Sequence, residues 1–240
     1  QEEYRAEIRA IRAMFYYYAM DMFGRVPLVL SSAEQLHSSL FQGQTDRSFI
    51  FQFVFQELQQ VLPSLPDQHS NKEGNYYGRI TQPVVNFLLA KLALNAEIYM
   101  YDDWTQGYAS RPKGSAIHFS VPASDASLRN GDKVDCRKLN AWETCIYYCD
   151  KLAEEGYVLE SDDSFNFSTH NETSKENIFT IPMDKNTYTN QFHYLFRSYH
   201  YTHGGVLGWG SENGTCATIS TMKANHYGEA DEDARCKMNF

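Results

Sequence analysis

The chain has 240 residues, with 21 basic and 30 acidic side chains and a net charge of −9. That length can bury a core without disulfide or metal staples, and an acidic balance with no basic stripe weighs against nucleic-acid binding. No apolar run reaches the ~18 residues of a membrane-spanning helix.

The first predicted element is a helix within residues 8–28, the stretch the rest of the chain is expected to pack around. Ile8, Ile11, Phe15, Tyr18 and Met22 recur every three or four residues and share one face, the expected core stripe. Arg5, Arg9 and Arg12 fall on another face. Gly24 can take the left-handed conformation that ends a helix, and Pro27 cannot continue it. Tyr16, Tyr17 and Tyr18 sit mid-helix and are read as packing rather than ligand contact.

A polar loop covers 28–45. Thr45 or Asp46 can cap a second helix over 46–62, with Phe49/Ile50, Phe53/Val54, Leu58 and Val61/Leu62 at helical spacing and Pro63 and Pro66 closing it. Thr81 suits the N-cap of a third, strongly apolar helix over 82–101, with Pro83 in its first turn. Residues 102–134 form a long insert punctuated by Gly and Pro, of a length that is usually functional or mobile. Its Ile117–Val121 alternation fits a short strand, and Trp104 at its start is read as packing. A fourth helix is expected over 138–155, with Leu139, Trp142, Cys145/Ile146, Cys149 and Leu152/Ala153 on one side and Gly156 ending it.

Beyond residue 160 the pattern changes. Residues 160–177 are polar and acidic, and ENIFTIPM (176–183) is the best strand candidate. Residues 184–215 are rich in Tyr, His, Gly and Asn with no period, and a short helix is expected near 218–227. Helix pairs joined by short loops suit a tetratricopeptide-like stack, although the literal tetratricopeptide signature is absent. The fold class is therefore mainly α, with tetratricopeptide-like hairpins, long irregular loops and few short strands.

Aromatics make up 15% of the chain, including 17 Tyr. Tyr joins a flat apolar face to a hydroxyl, which suits sugars and other polar ligands, but most of these rings are expected in helix contacts. The five cysteines contain no CxxC pair and read as buried thiols. Glu154 and Glu155 are adjacent on a helix and point apart, as do Asp102 and Asp103, so neither is a catalytic carboxylate pair. His200, His203 and Cys216 have no recognised metal spacing. No HExxH, GxSxG or P-loop is present, which weakens the enzyme readings; a glycoside hydrolase would need two opposed carboxylates in a cleft.

Several motifs then fall into one order. RAMFYYYAMDMFGRVPLV (12–29), RSFIFQFVFQELQQVLPSLP (47–66) and YGRITQPVVNFLLAKLALNAEIYM (77–100) resemble three consecutive segments of the SusD/RagB family. A Trp, a Cys-bearing helix ending in Gly156-Tyr157-Val158-Leu159, Asn177-Ile178-Phe179, and Asn213-Gly214 before Asp233-Ala234-Arg235 follow in family order. The resemblance covers essentially the whole chain. It implies a lipid-anchored outer-membrane protein on the cell surface of Bacteroidetes, not an enzyme. Such a protein binds oligosaccharide or polysaccharide and lids a SusC-like TonB-dependent transporter. It also implies a single domain, with a helical tetratricopeptide-like part (1–159) and a loop-rich ligand-binding part (160–240). Family chains are about twice this length, still folding as one unit. The sequence is therefore expected to be a fragment lacking the lipid-bearing N-terminal segment and a C-terminal region. The alternative is a protein–protein adaptor on the same scaffold with no carbohydrate site.

The best glycan-binding candidates lie in the loops. Trp209 sits among glycines in GGVLGWGSENG, where it could stack on a sugar's C–H face, with Tyr201, Asn213 and Tyr188 close in sequence. Some family members hold a Ca²⁺ near an Asp after the segment that ENIFTIPM resembles, with further carboxylates from the C-terminal region, which implies Asp184 as a ligand here, since oxygen ligands suit that ion; the alternative is a turn-forming Asp. No other cofactor is expected.

Overall fold

A computed structural model describes residues 1–30, 43–123, 136–183, 186, 202, 206 and 217–236, with the Trp104 side chain outside that set. The chain divides into two units, Gln1–Glu160 with His170–Thr180, and Ser161–Thr169 with Ile181–Phe240. The first unit carries the long helices.

Helix α1 (Glu2–Phe23) ends where Gly24, at φ 72°, donates its N–H to the Met20 carbonyl at 2.8 Å. Its buried face is Ala6, Ala10, Ala13, Met14, Tyr17 and Met20. This corrects the expected stripe: Ile8, Phe15, Tyr18 and Met22 are exposed, at 66, 65, 43 and 67%. The cause is the neighbour's bulk. Helix α2 (Arg47–Val61) presents buried Ile50, Phe51, Val54, Phe55 and Leu58, and alanines opposite such side chains let the two helices approach closely. Arg9 and Arg12 both pair with Glu57, at 2.7 and 2.9 Å, and Arg25 pairs with Asp46. The two helices therefore run antiparallel.

Asp46 occupies the N-cap position of α2 but makes no side-chain cap bond. Asp102 caps it instead, its carboxylate accepting from the Ser48 N–H at 3.0 Å and from the Ser48 hydroxyl. Phe49 is turned outward, so α2 buries the Ile50 and Phe51 side of its apolar surface.

Helix α3 (Gln82–Leu94) starts after Thr81, whose hydroxyl is buried without a cap bond, and breaks at Asn95 before the short α4 (Ala96–Tyr99). Helix α5 (Ala141–Glu154) returns antiparallel to α3. Asn86, early in α3, meets Glu155 at the end of α5. At the other end Glu97 accepts the Gly114 N–H at 2.7 Å, and Gly114 lies against Trp142. A Cβ on Gly114 would fall 2.3 Å from the Trp142 ring, so only glycine permits that approach. The α5 stripe is also corrected: Ala141, Thr144, Tyr148 and Leu152 are buried, while Trp142, Ile146 and Cys149 face outward.

The hairpins α1–α2 and α3–α5 stack in parallel. Arg79, just before α3, reaches Glu3 and Glu7 of α1 at 2.9 and 2.7 Å, and at the far end the Tyr99 hydroxyl donates to Asp21 at 2.6 Å. Gln59 of α2 donates to the Tyr148 hydroxyl of α5 at 3.0 Å. This is the mainly α, tetratricopeptide-like arrangement, and each fully buried large side chain in it contributes about 1.5–3 kcal/mol.

The insert is not structureless. Strand β1 (His118–Pro122) pairs antiparallel with β2 (Cys136–Asn140), in register from His118↔Asn140 to Pro122↔Cys136. β2 takes residues expected to open the fourth helix. That helix starts later because Asn140 and Glu143 form a reciprocal capping box, which fixes its first turn. Phe119 of β1 stacks on Phe55 of α2 at 4.2 Å and holds the hairpin to the helices. Gly156, at φ 90°, follows α5. The ENIFTIPM segment forms no strand: no described backbone lies beside it as a ladder partner, and strand propensity alone does not make one.

In the second unit, the described residues include a 3-10 helix (Asp163–Phe167) and the short helix α6 (Ile219–Ala224), capped by the Thr218 side chain. Asp233 and Arg235 form an ion pair that holds the Asp233 carboxyl well below its ordinary range.

Candidate functional site: a tyrosine and arginine cavity in the insert

The residues singled out for glycan binding (Trp209, Tyr201, Asn213 and Tyr188) and for calcium (Asp184) all lie outside the described residues, as do His200, His203 and Cys216. Among the described residues, the first unit contains at least three concave regions.

One opens where α4 runs into the insert. It has about 350 Å³ and is lined by Arg47, Ile98, Tyr101, Gly107, Tyr108 and Arg111. Arg47, the first residue of α2, donates to the Tyr101 carbonyl at 2.6 Å. The Tyr101 hydroxyl donates to the Gly107 carbonyl at 3.0 Å, and Gly107 turns the chain at φ 77°. Two short 3-10 turns, Trp104–Gln106 and Tyr108–Ser110, follow one another here, with Asp103 bonding Thr105 to shape the first. The Arg111 guanidinium lies 4.7 Å from the Tyr108 ring centroid, and Tyr108 is 79% exposed. Burial lowers the Arg47 pKa, opposed by Asp102, Tyr99 and Asp21; an arginine stays charged through such shifts. The cavity thus combines an aromatic face with two guanidinium groups and contains no carboxylate among its lining residues.

The second, of about 330 Å³, lies between the start of α3 and the end of α5, with Asp67, Asn86, Tyr148, Lys151, Glu154 and Glu155 in its lining. Asn86 donates to Glu155 Oε1 at 3.2 Å, while Asn86 Oδ1 and Glu155 Oε2 are buried without hydrogen-bond partners among the described residues. Burial, and then Asp67, push the Glu155 carboxyl up to about 7, against Asn86 and Lys151. Glu154 instead faces Lys151 at 2.9 Å.

The third is an apolar groove of about 610 Å³, with Met14, Tyr18, Phe87, Leu88, Leu152 and Ile178 in its walls. Cys149 also lines it; its partner Cys145 has a thiol pushed up to about 11, chiefly by burial and then by Cys149. In the second unit, His226, Glu229 and Asp231 bring metal-capable atoms within 4.8 Å, all of them exposed.

Reading the sequence alone missed Arg47, Tyr101, Tyr108 and Arg111. A signal existed in YDDWTQGYASRP, where aromatics recur at three- and four-residue intervals ahead of an arginine. Tyr16 and Tyr17 do behave as packing, Tyr17 being buried and the Tyr16 hydroxyl tied to Val29 N and O at 2.8 Å, whereas Tyr18 is exposed and lines the apolar groove.

No family model matches the chain. The starch-binding protein SusD of Bacteroides thetaiotaomicron is 26% identical over 132 residues, which is 54% of this chain and 22% of that protein. A SusD-like protein of Bacteroides fragilis has a similar fold, with a TM-score of 0.52 at 17% identity over 82% of this chain and 31% of that one. A laminarin-binding SusD-like protein aligns at 22% identity with a TM-score of 0.33, over 50% of this chain and 31% of the other. The matched part of the chain covers less than a third of the length of SusD and of the Bacteroides fragilis protein.

Proposed function

We infer that this chain, which belongs to the SusD/RagB family by its sequence likeness to SusD together with its fold, is part of a cell-surface glycan-binding protein. In this reading the whole protein is lipid-anchored in the outer membrane. It passes oligosaccharide to a SusC-like TonB-dependent transporter and performs no covalent chemistry.

The observation that carries the reading is the likeness to a starch-binding protein across half of the chain. The insert cavity supports it: an exposed tyrosine beside arginines suits a sugar ring, whose C–H face stacks while its oxygens accept hydrogen bonds. Trp209, Tyr201, Asn213 and Tyr188 are proposed as a further platform, and Asp184 as a calcium ligand. The helical part (1–159) is proposed as scaffold and the loop-rich part (160–240) as a second contributor to binding.

Affinity gels cast with a panel of polysaccharides test this directly. Retardation in at least one polymer is expected. Migration unchanged in all of them, with no transporter co-purifying from cells, would count decisively against it.

The adaptor reading is favoured by one observation, the exposed row Tyr4, Ile8, Phe15, Tyr18 and Met22 on α1. It predicts that Phe15→Asp abolishes capture of a protein partner and leaves carbohydrate retardation untouched.

A further inference from the structure

We propose that the cavity between Arg47 and Arg111 selects a sugar that carries a carboxylate, such as a uronic acid residue within an oligosaccharide. This rests on the glycan-binding reading and adds the charge of the ligand to it.

The charged groups lining the cavity are two guanidiniums, which donate and never accept. Arg111 uses only its Nε, in a long 3.4 Å contact to the Tyr108 carbonyl, so its terminal nitrogens carry no hydrogen bond among the described residues. A planar fork of N–H groups matches a carboxylate two-for-two, a geometry that a neutral hydroxyl cannot reproduce.

The acidic groups around the cavity accept hydrogen bonds from neutral groups and keep their charge. Asp102 faces Arg47 electrostatically, but its two oxygens are held by Ser48. Asp21 is taken by the Tyr99 hydroxyl, and Asp103 by Thr105 and Gln106. Asp102 and Asp21 offset the Arg47 charge, whereas Arg111 forms no ion pair among the described residues, and its guanidinium favours an anion over a neutral ligand.

Tyr108 gives the anion's carrier its shape. The ring is mostly exposed and is braced by Arg111 at 4.7 Å. A pyranose can lie on such a ring and direct a ring-borne carboxylate towards the adjacent guanidinium. About 350 Å³ is room for one or two sugar residues rather than a long chain. The ligand class is therefore a short acidic oligosaccharide, or the accessible end of a longer one.

The test is calorimetric titration of the full chain with trigalacturonate, its methyl ester and maltotriose, at low and at high salt. Thermal melting checks that Arg111→Ala, Arg111→Lys and Tyr108→Ala remain folded. Trigalacturonate is expected to bind more tightly than its ester and to weaken at high salt. Arg111→Ala should lower its affinity about tenfold, the scale of one charge-assisted pair, while Arg111→Lys recovers part of the loss. Tyr108→Ala should weaken acid and ester alike. Equal affinity for acid and ester, or an affinity for trigalacturonate that Arg111→Ala leaves unchanged, overturns the proposal and leaves glycan binding standing. Binding of maltotriose alone does the same. Failure of all three ligands also overturns it, and the polysaccharide gels then decide separately whether glycan binding itself survives.

Discussion

The two polar cavities of the helical unit are nearly equal in size, about 330 and 350 Å³, and opposite in chemistry. The one between α3 and α5 is built from helix ends and carries three carboxyl groups and one lysine. The one in the insert is built largely from short turns and carries two guanidiniums. In the first, the acid at the centre resists ionisation. In the second, burial opposes the Arg47 charge while Asp102 favours it, and the Arg111 fork stays open to solvent and ligand. A helical stack of one shape can thus support unlike sites, because the side chains that decide their chemistry come from the edges of the stack.

The most severe way to break this contrast is Tyr148→Ala. Tyr148 is 1% exposed, walls the acidic cavity and takes a hydrogen bond from Gln59. Its loss should cost about 3–5 kcal/mol in chemical denaturation, as large-to-small core changes do, and should leave the arginine cavity's ligand preference unchanged in the folded fraction.

Asp102→Ala acts on the other side. It removes the cap of α2 and an anion facing Arg47. Stability should fall by about 1–2 kcal/mol, while affinity for trigalacturonate rises. Asp102→Asn, which keeps an acceptor for Ser48, should recover stability and retain the gain in affinity.

Glu155→Gln sharpens the acidic cavity. The carboxyl moves from 4.5 to about 7 on folding, so the folded chain holds this proton more tightly than the unfolded chain. Its contribution is greatest below pH 4.5 and is lost as pH rises towards 7. Discounted for partial exposure, the slope amounts to about 1 kcal/mol between about pH 5 and pH 8. Glutamine supplies a permanent donor for Asn86 Oδ1, so urea titrations of the variant should lose that slope and show a more stable protein than the parent at pH 8.

Arg111→Ala should have the smallest effect on stability, within about 0.5 kcal/mol, as expected at a partly exposed position, despite its tenfold effect on binding. Thermal melts and titrations on the same sample separate the two.

Much of the fold was legible from the sequence. The α1–α2 and α3–α5 hairpins, the stop at Gly24, the prolines after α2, Gly156 and strand β1 follow from local rules that hold wherever a residue sits. Which face each helix buries did not follow. In α1 the periodic signal comes from Ile8, Phe15 and Met22, yet the packed side is Ala6, Ala10 and Ala13. Alanine weighs little in any hydrophobic average, but it is what lets a second backbone come near. The same reversal in α5 puts Trp142 and Ile146 outside and Ala141 and Thr144 inside. The insert cavity was hidden for a different reason: Arg47 meets Tyr101 and Tyr108 only through tertiary folding, and no short-range pattern joins residues that far apart.

The cap on α2 has a consequence for how the chain is made. Asp102 lies 54 residues beyond the serine it holds. During synthesis the leading turn of α2 lacks this cap until Asp102, which follows α4, has left the ribosome. The first hairpin is therefore not a separable brick. A truncation before residue 102, or a transplant of α1 and α2 into another repeat array, would have to bring its own carboxylate for Ser48 or accept a helix that starts a turn late.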